Sequence, residues 1–459
     1  MQIENIISHV NNVMGESSDL VIKKIYNKTT KNIEICIIYL NTLIDEANFN
    51  LFISQNVNAT SEELISELQC KLLLVGEELS EISEISQKIF NGNCLIYLQS
   101  KIYSVSYTKL ADRAIEKPDR ENSLYGPLDS FTENINSNIS MIRRRIPEQE
   151  LVFKEFILDV QPPIKLNVTY INKIVDTHIL NNITKKLNSI KENQFLDSMQ
   201  LGKVLTESKV SPFPLFQNVE RPDKVVSSLY KGKIAILLNN SPQVIILPST
   251  LFCLYETPDD AYLPSIIGSF LTSIRFIGLF LSLYLPSLYI ALTSVNQDVI
   301  RLEIMMAIAI NREGVPYPSY VEVIIMMLLM ELINEATIRL PRAIGGSATI
   351  VGGLIIGTSA AQAHIISNIM IIITSATAIG SFTAANYILG IAWRLCAYML
   401  IFLSTLWGLY GITFGTSLLL IYLCNLRSFG QPYISLNNFK YSLKNLSTRS
   451  KLFGGKEPL

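Results

Sequence analysis

An α/β soluble N-terminal region of two subdomains, followed by an all-α multi-spanning membrane domain, is the architecture this sequence predicts. Three observations predict it. Strand-like and helix-like runs alternate through residues 20–255. Beyond them, uncharged stretches of 22, 51 and 32 residues run from Phe276 to Gln297, Ala343 to Trp393 and Leu395 to Leu426, and a spanning helix needs about 20 apolar residues. Charge follows the same division: residues 1–260 hold 26 Lys+Arg and 32 Asp+Glu, a net −6, whereas residues 261–459 hold 12 and 7, a net +5. Charged residues make up 17% of the 459, against roughly 25% in a typical soluble chain, and the deficit sits in the second half. This composition excludes intrinsic disorder, a collagen-like fibre and a disulfide mini-protein.

The strands expected in the soluble half are IEICIIYL (33–40), CLIYLQS (94–100), IYSVSYT (102–108), LVFKEFIL (151–158) and KLNVTYI (165–171). All are rich in β-branched and aromatic residues. Segments with helical periodicity, 61–75 and 172–190, separate them. The expected domains are a first α/β subdomain over 1–110, then a helical connector with a second α/β subdomain over 111–255. A membrane domain of four to six spans (256–426) and a basic cytoplasmic tail (427–459) follow.

Two stretches of the second subdomain carry most information. In SLYGPLDSFTENINSNISMIRRRI (123–146), Gly126 and Pro127 suit a turn, and Asp129 or Ser130 suits a helix N-cap. Phe131, Ile135, Ile139 and Ile142 fall on one stripe. Arg143, Arg144 and Arg145 close the helix, where cations favour the negative end of its dipole, and Pro147 stops it. The basic end is either a solvated cap or an anion-facing docking element. In residues 212–252, Arg221-Pro222-Asp223 starts a short helix. KIAILLN and QVIILPS then read as a hairpin around Asn239-Asn240-Ser241-Pro242, residues that favour turns.

In the second half the candidate spans are 271–293, 344–362, 365–386 and 388–426, the last divisible near Gly408–Gly411. Residues 319–335 are apolar but carry Glu322, Glu331 and Glu335, so this segment is a short span, a re-entrant helix or an interfacial helix. The tail holds six basic residues against Glu457, which marks the cytoplasmic side. With both ends inside, the number of crossings is even: four if 319–335 does not cross, six as the alternative.

Gly345, Thr349, Gly353, Gly357 and Ala361 recur every four residues, a spacing that lets helix backbones approach closely in lipid. They serve packing within one subunit or between subunits around a polar pathway. Intramembrane charges are costly and are usually paired or facing water. Glu331, Glu335, Arg339 and Arg342 are therefore candidates for a charged flank of that pathway, with Glu335 and Arg339 attracting at i,i+4 and the two glutamates repelling. Arg275 and Arg394 lie near span ends and suit snorkelling; Pro286 suits a kink, and His364 an interfacial loop.

The six cysteines lack CxxC pairs and the three histidines are scattered, so no metal framework, cofactor or disulfide scaffold is expected. No GxGxxG, P-loop or GxSxG pattern occurs, and no nucleic-acid partner is expected. The N-terminus lacks a charged region followed by an apolar one, so no signal peptide is expected.

Eight stretches, in order, resemble one family: GPLDSFTENINSNISMIRRR, PFPLFQNVERPDKVVSSLYKGKIAILLNNSPQVIILPSTLF, LPSLYIAL, NREGVPYPSYVE, EATIRLPRAIGG, TIVGGLIIG, TAIGSF and RSFGQPY. The chain resembles the A subunits of spore germinant receptors, the GerA-type family. Gly126, Pro127, Arg143, Arg144, Arg221, Pro222 and Asp223 are its family-motif residues. Ala343, Asn368 and Ala385 stand where relatives carry proline. The resemblance implies a non-enzymatic subunit of the spore inner membrane, with its N-terminal domain and tail on the spore-core side. It implies a multi-spanning B subunit and a lipoprotein C subunit as partners, contact with membrane lipid, and a homo-oligomer that releases cations when a nutrient is sensed. A secondary transporter of the nutrient, a non-conducting scaffold and a membrane-tethered enzyme are the competing readings. No repeat supports the first, and no nucleophile–base motif the last.

Overall fold

The computed structural model describes residues 3–14, 17–26, 33–45, 48–49, 51, 76–79, 82–90, 92–98, 101–107, 125–158, 163–190, 197–206, 211–340, 353 and 357–434. The chain forms two compact units. One takes Met1–Lys209 and Phe216–Pro248, the other Val210–Leu215 and Ser249–Leu459. The expected helix over 61–75 lies outside the described residues.

The first unit is built on two sheets. In one, β1 (Leu20–Tyr26), β2 (Ile33–Leu40), β3 (Gly76–Leu79), β4 (Asn93–Leu98) and β5 (Lys101–Ser106) lie in the order β1-β2-β4-β5-β3. Side chains alternate between faces along a strand, and β2 is apolar on both. Cys36, Ile38 and Leu40 pack with helices α1 (Ile3–Met14) and α2 (Ile82–Phe90) through Ile6, Val10, Ile85 and Ile89. Ile35, Ile37 and Tyr39 pack on the other face with Phe49, Cys94 and Tyr103.

In the second sheet β6 (Leu151–Leu158), β7 (Ile164–Ile171), β8 (Gln217–Val219), β9 (Ile234–Leu238) and β10 (Val244–Leu247) take the order β6-β7-β9-β10-β8. The predicted hairpin is β9–β10, with Val244 opposite Leu237; Asn240, at φ +63, makes its turn. Helices α3 (Ile135–Arg145) and α6 (Pro222–Tyr230) cover one face through Ile139, Ile142, Val225 and Leu229. Helices α4 (Thr177–Ser189) and α5 (Ser198–Leu205) complete this region. All described ladders of both sheets are antiparallel.

Helix α3 begins later than its sequence suggests. Asn134 is the N-cap, its side chain accepting from Asn136 N, and Asn138 holds Thr132 N at 2.8 Å and Thr132 O at 2.6 Å. Two asparagines thus close the preceding loop, and Asp129 and Ser130 fall outside the helix.

The second unit is helical: α7 (Leu251–Tyr255), α8 (Ser265–Ile290, prolonged by a π-turn to Val295), α9 (Leu302–Asn311), α10 (Ser319–Arg339), α11 (Asn368–Phe382), α12 (Tyr387–Trp407) and α13 (Leu409–Asn425). Pro286 lies inside α8. Contacts fix the helix directions. Tyr289, late in α8, meets Ser367, which caps the start of α11, while Gly278 meets Gly380 further along, so α8 and α11 run antiparallel. Ser404 of α12 donates to Ser287 O of α8, and Asn296 meets the end of α12, so these two run parallel. Helix α10 starts beside Tyr289 and Ser367, passes Tyr398 at Met327 and reaches Arg394 at Glu331, so it runs against α12. Gly408, at φ +57, reverses the chain: Asn296 Oδ1 accepts from Leu409 N, and α13 returns with Gly411 against Leu403 O. The anticipated division of 388–426 is therefore a hairpin of two helices.

Two described helices, Ser265–Val295 and Tyr387–Trp407, are long and apolar enough to cross a membrane by length and composition. Apolar side chains face outward on all the long helices, among them Ile266, Phe280, Leu332, Ile372, Phe402 and Tyr410. An outward apolar surface of this extent marks a membrane or protein interaction surface.

Candidate functional site

The most deeply buried acid of the helical unit is Glu322, with no exposed surface. Pro318 ends the preceding turn and α10 starts at Ser319, placing Glu322 one turn in and facing the other helices. Its Oε1 accepts from Ser367 N, and its Oε2 accepts from Tyr289 OH at 3.3 Å. Arg312 Nε lies 3.6 Å from Oε2, close enough for charge attraction but beyond hydrogen-bond length. Arg312 donates instead through Nη2 to Tyr317 O at 3.1 Å. Ser367 Oγ caps α11 by accepting from Met370 N. One carboxylate thus ties α8, α10, the N-terminus of α11 and the turn after α9. An ionisable residue so enclosed in apolar helices points to function.

The expected charged flank is divided. Glu331 pairs with Arg394 at 3.4 Å, so Arg394 is a partner in a helix–helix ion pair rather than a snorkelling cation. Glu335 pairs with Arg339 at 2.6 Å in the anticipated i,i+4 geometry, with both side chains exposed. Each of the glutamates that the sequence set in repulsion thus has its own cationic partner. Arg342 lies outside the described residues. Arg275 does not snorkel: it grips Asp260 with Nη1 and Nη2 at 2.7 and 2.6 Å. Burial alone would raise the Asp260 carboxyl, but Arg275 and Thr257 outweigh it and hold the group below its ordinary value.

Of the small-residue stripe, Gly345 and Thr349 lie outside the described residues, and Ala361 is half-buried. A Cβ added at Gly353 or Gly357 would meet nothing within 4 Å among the described residues. Among the described residues a tight helix crossing lies elsewhere. A Cβ at Gly380 would run into the Gly278 carbonyl, and one at Gly278 into Thr383. His364 sits in a turn at φ +54, beside Gly314 at φ +90.

In the sheet-bearing unit, Arg143 corrects the solvated-cap reading. It is buried, donates to Asp19 through Nε and Nη2 at 3.2 and 3.0 Å and to Leu151 O at 2.9 Å, and lies over the Phe153 ring at 4.7 Å. Arg144 is exposed, and Arg145 pairs with Asp129 at 2.5 Å. Arg221 is buried and paired with Asp223 at 2.7 Å, while Pro222 takes the first helical position, where its missing N–H costs nothing. Gly126 and Pro127 are half-buried.

No group of three or more His, Cys, Asp or Glu suited to a metal ion occurs among the described residues. Sequence reasoning missed Glu322 as the buried member of its helix, and missed Asp19 and Asp260 as partners. The proline-bounded start of α10 was the available signal for the first.

The profile described as "Bacillus/Clostridium GerA spore germination protein" matches residues 8–455. Spore germination protein A1 of Bacillus subtilis (strain 168) is 32% identical over 435 residues, covering 94% of this chain and 90% of that protein. The uncharacterized membrane protein YfkQ of the same organism is 33% identical, covering 78% and 70%. Among solved structures, the N-terminal domain of the A subunit of the Bacillus megaterium spore germinant receptor GerK3 matches 53% of this chain and 93% of that one. Its 22% identity and TM-score of 0.38 are too low to transfer a fold. A match spanning both units, with relatives of this identity along nearly the whole length, places the chain in the GerA family of spore germination proteins.

Proposed function

We propose that this chain is the A subunit of a nutrient germinant receptor of the spore inner membrane. It transduces a nutrient signal into germination by oligomerising into a cation-release channel, without enzymatic chemistry. The observation that carries the reading is a family match reaching through the sheet-bearing unit and the apolar helices alike. A multi-spanning B subunit and a lipoprotein C subunit complete the receptor, and lipid covers the outward apolar side chains. The four-part division at residues 110, 255 and 426 is the domain plan, with the N-terminal region and the basic tail on the spore-core side.

Six crossings rather than four fit this reading. Helix α10 is 21 residues long, about 31 Å at 1.5 Å per residue, and runs back along α12 from Met327 to Glu331. Together with the span expected from the sequence over 344–362, α8, α10, α11, α12 and α13 make an even number of crossings, which leaves both ends on one side.

Gly345, Thr349, Gly353, Gly357 and Ala361 pack between subunits around the pathway. Among the described residues nothing lies within 4 Å of a Cβ added at Gly353 or Gly357, which leaves room for a partner helix. Glu331, Glu335, Arg339 and Arg342 flank it. A Gly353→Leu spore should keep normal levels of the subunit and lose nutrient-triggered germination. Normal levels with wild-type germination would refute the packing role.

A further inference from the structure

We propose that Glu322 and Arg312 form the latch that holds the helical unit in its resting state, and that signalling releases it. The inference rests on the reading of the chain as a germinant-receptor subunit and names how that subunit is regulated.

Burying an ion pair is an inefficient source of stability, because the desolvation cost rivals the attraction. Such pairs are better suited to fixing one arrangement among several. Here the arrangement is fixed loosely. The Arg312–Glu322 separation of 3.6 Å leaves Arg312 Nε without a hydrogen-bond partner, and the Tyr289 bond, at 3.3 Å, is long. The carboxylate keeps Ser367 N and Tyr289 OH on its two oxygens, and Arg312 is the loosely held partner, which a small displacement would free.

One of the elements it joins is lightly packed. No side chain of α9 is buried, so this helix adds little packing to the unit. Arg312 is its charged tie. Two turns with left-handed backbone, at Gly314 and His364, lie against each other beside the node. Freeing Arg312 from Glu322 would release α9 and loosen α10 from the start of α11 together.

The test uses spores in which this receptor is the only one, carrying the full chain with its partners. Potassium release is measured with and without nutrient, and subunit levels by immunoblot. Glu322→Gln and Arg312→Gln should each raise nutrient-free release at least tenfold. The double variant should fall between them and the wild type, because Arg312→Gln leaves the buried Glu322 charge unpaired and Glu322→Gln leaves the half-buried Arg312 charge unpaired. Tyr289→Phe removes one hydroxyl and preserves packing, so it covers the case in which the charge variants fail to accumulate. It should raise nutrient-free release several-fold at normal levels. Wild-type nutrient-free release from Tyr289→Phe, or from either Gln variant at normal levels, overturns the latch. Deleting the chain separates the two claims: a nutrient response that survives deletion overturns the receptor reading itself, and the latch with it.

Discussion

Adding one methyl group at Gly380 should weaken the helical unit more than adding one at the regular small-residue stripe. In Gly380→Ala the new Cβ would run into the Gly278 carbonyl oxygen and lie 3.1 Å from its carbon. Carbon pairs settle at about 3.5–4.0 Å, and both neighbours are backbone, so α8 and α11 must part by roughly 0.5–1 Å. A gap of that size forfeits about a quarter to a half of each contact's attraction, and overpacking of this kind costs about 1–3 kcal/mol. Gly353→Ala meets nothing within 4 Å among the described residues and should stay within about 0.5 kcal/mol of the parent. The assay is unfolding of the purified full chain in detergent, followed by helicity against temperature or denaturant. A Gly380→Ala protein as stable as the parent, or a Gly353→Ala protein that loses as much, would refute the assignment of the tight crossing.

Three further outcomes follow from buried groups. Asp19→Asn leaves the Arg143 charge unpaired in the interior and should cost about 3–5 kcal/mol, read from denaturant midpoints, with Asp19→Asn/Arg143→Met recovering part of the loss. Phe213, buried with its ring centre 5.6 Å from Trp393 and 6.2 Å from Tyr433, should cost about 3–5 kcal/mol as Phe213→Ala; an unchanged midpoint would show that the ring is not an anchor. The Asp260 carboxyl is held below its ordinary value, so its stabilising effect is complete above about pH 4, the unfolded value, and is lost as pH falls through the lower folded one. The stability gap between the parent and Asp260→Asn should therefore shrink on acidification below that point, and a constant gap would contradict the pairing.

What the sequence revealed depended on how far apart the interacting residues lie. The β9–β10 hairpin and the start of α6 were legible because turn residues and Pro222 act within a few positions. Strands such as Leu151–Leu158 showed in their residue types. Arg143 looked like a solvated cap because its partner Asp19 is 124 residues away and no local pattern links them. The Gly278–Gly380 crossing was equally hidden, since its small-residue spacing is short, Gly278 with Ser282 and Ala376 with Gly380 and Ala384, whereas the longer repeat from Gly345 to Ala361 draws attention by regularity alone. Glu322 could not be told from Glu331 and Glu335 because α10 is apolar on nearly every side, so periodicity named no buried face. The antiparallel course of α10 beside α12 emerged from the Tyr398–Met327 and Arg394–Glu331 contacts, which sequence spacing does not encode.

The most direct test of the receptor assignment is early potassium release from purified spores. Two strains that lack all sister receptors, one with and one without this gene, are challenged with a panel of amino acids, sugars and nucleosides. At least one nutrient class should trigger release only when the gene is present, and complementation should restore it. Identical release with and without the gene, for a nutrient that still germinates these spores, would contradict the receptor assignment.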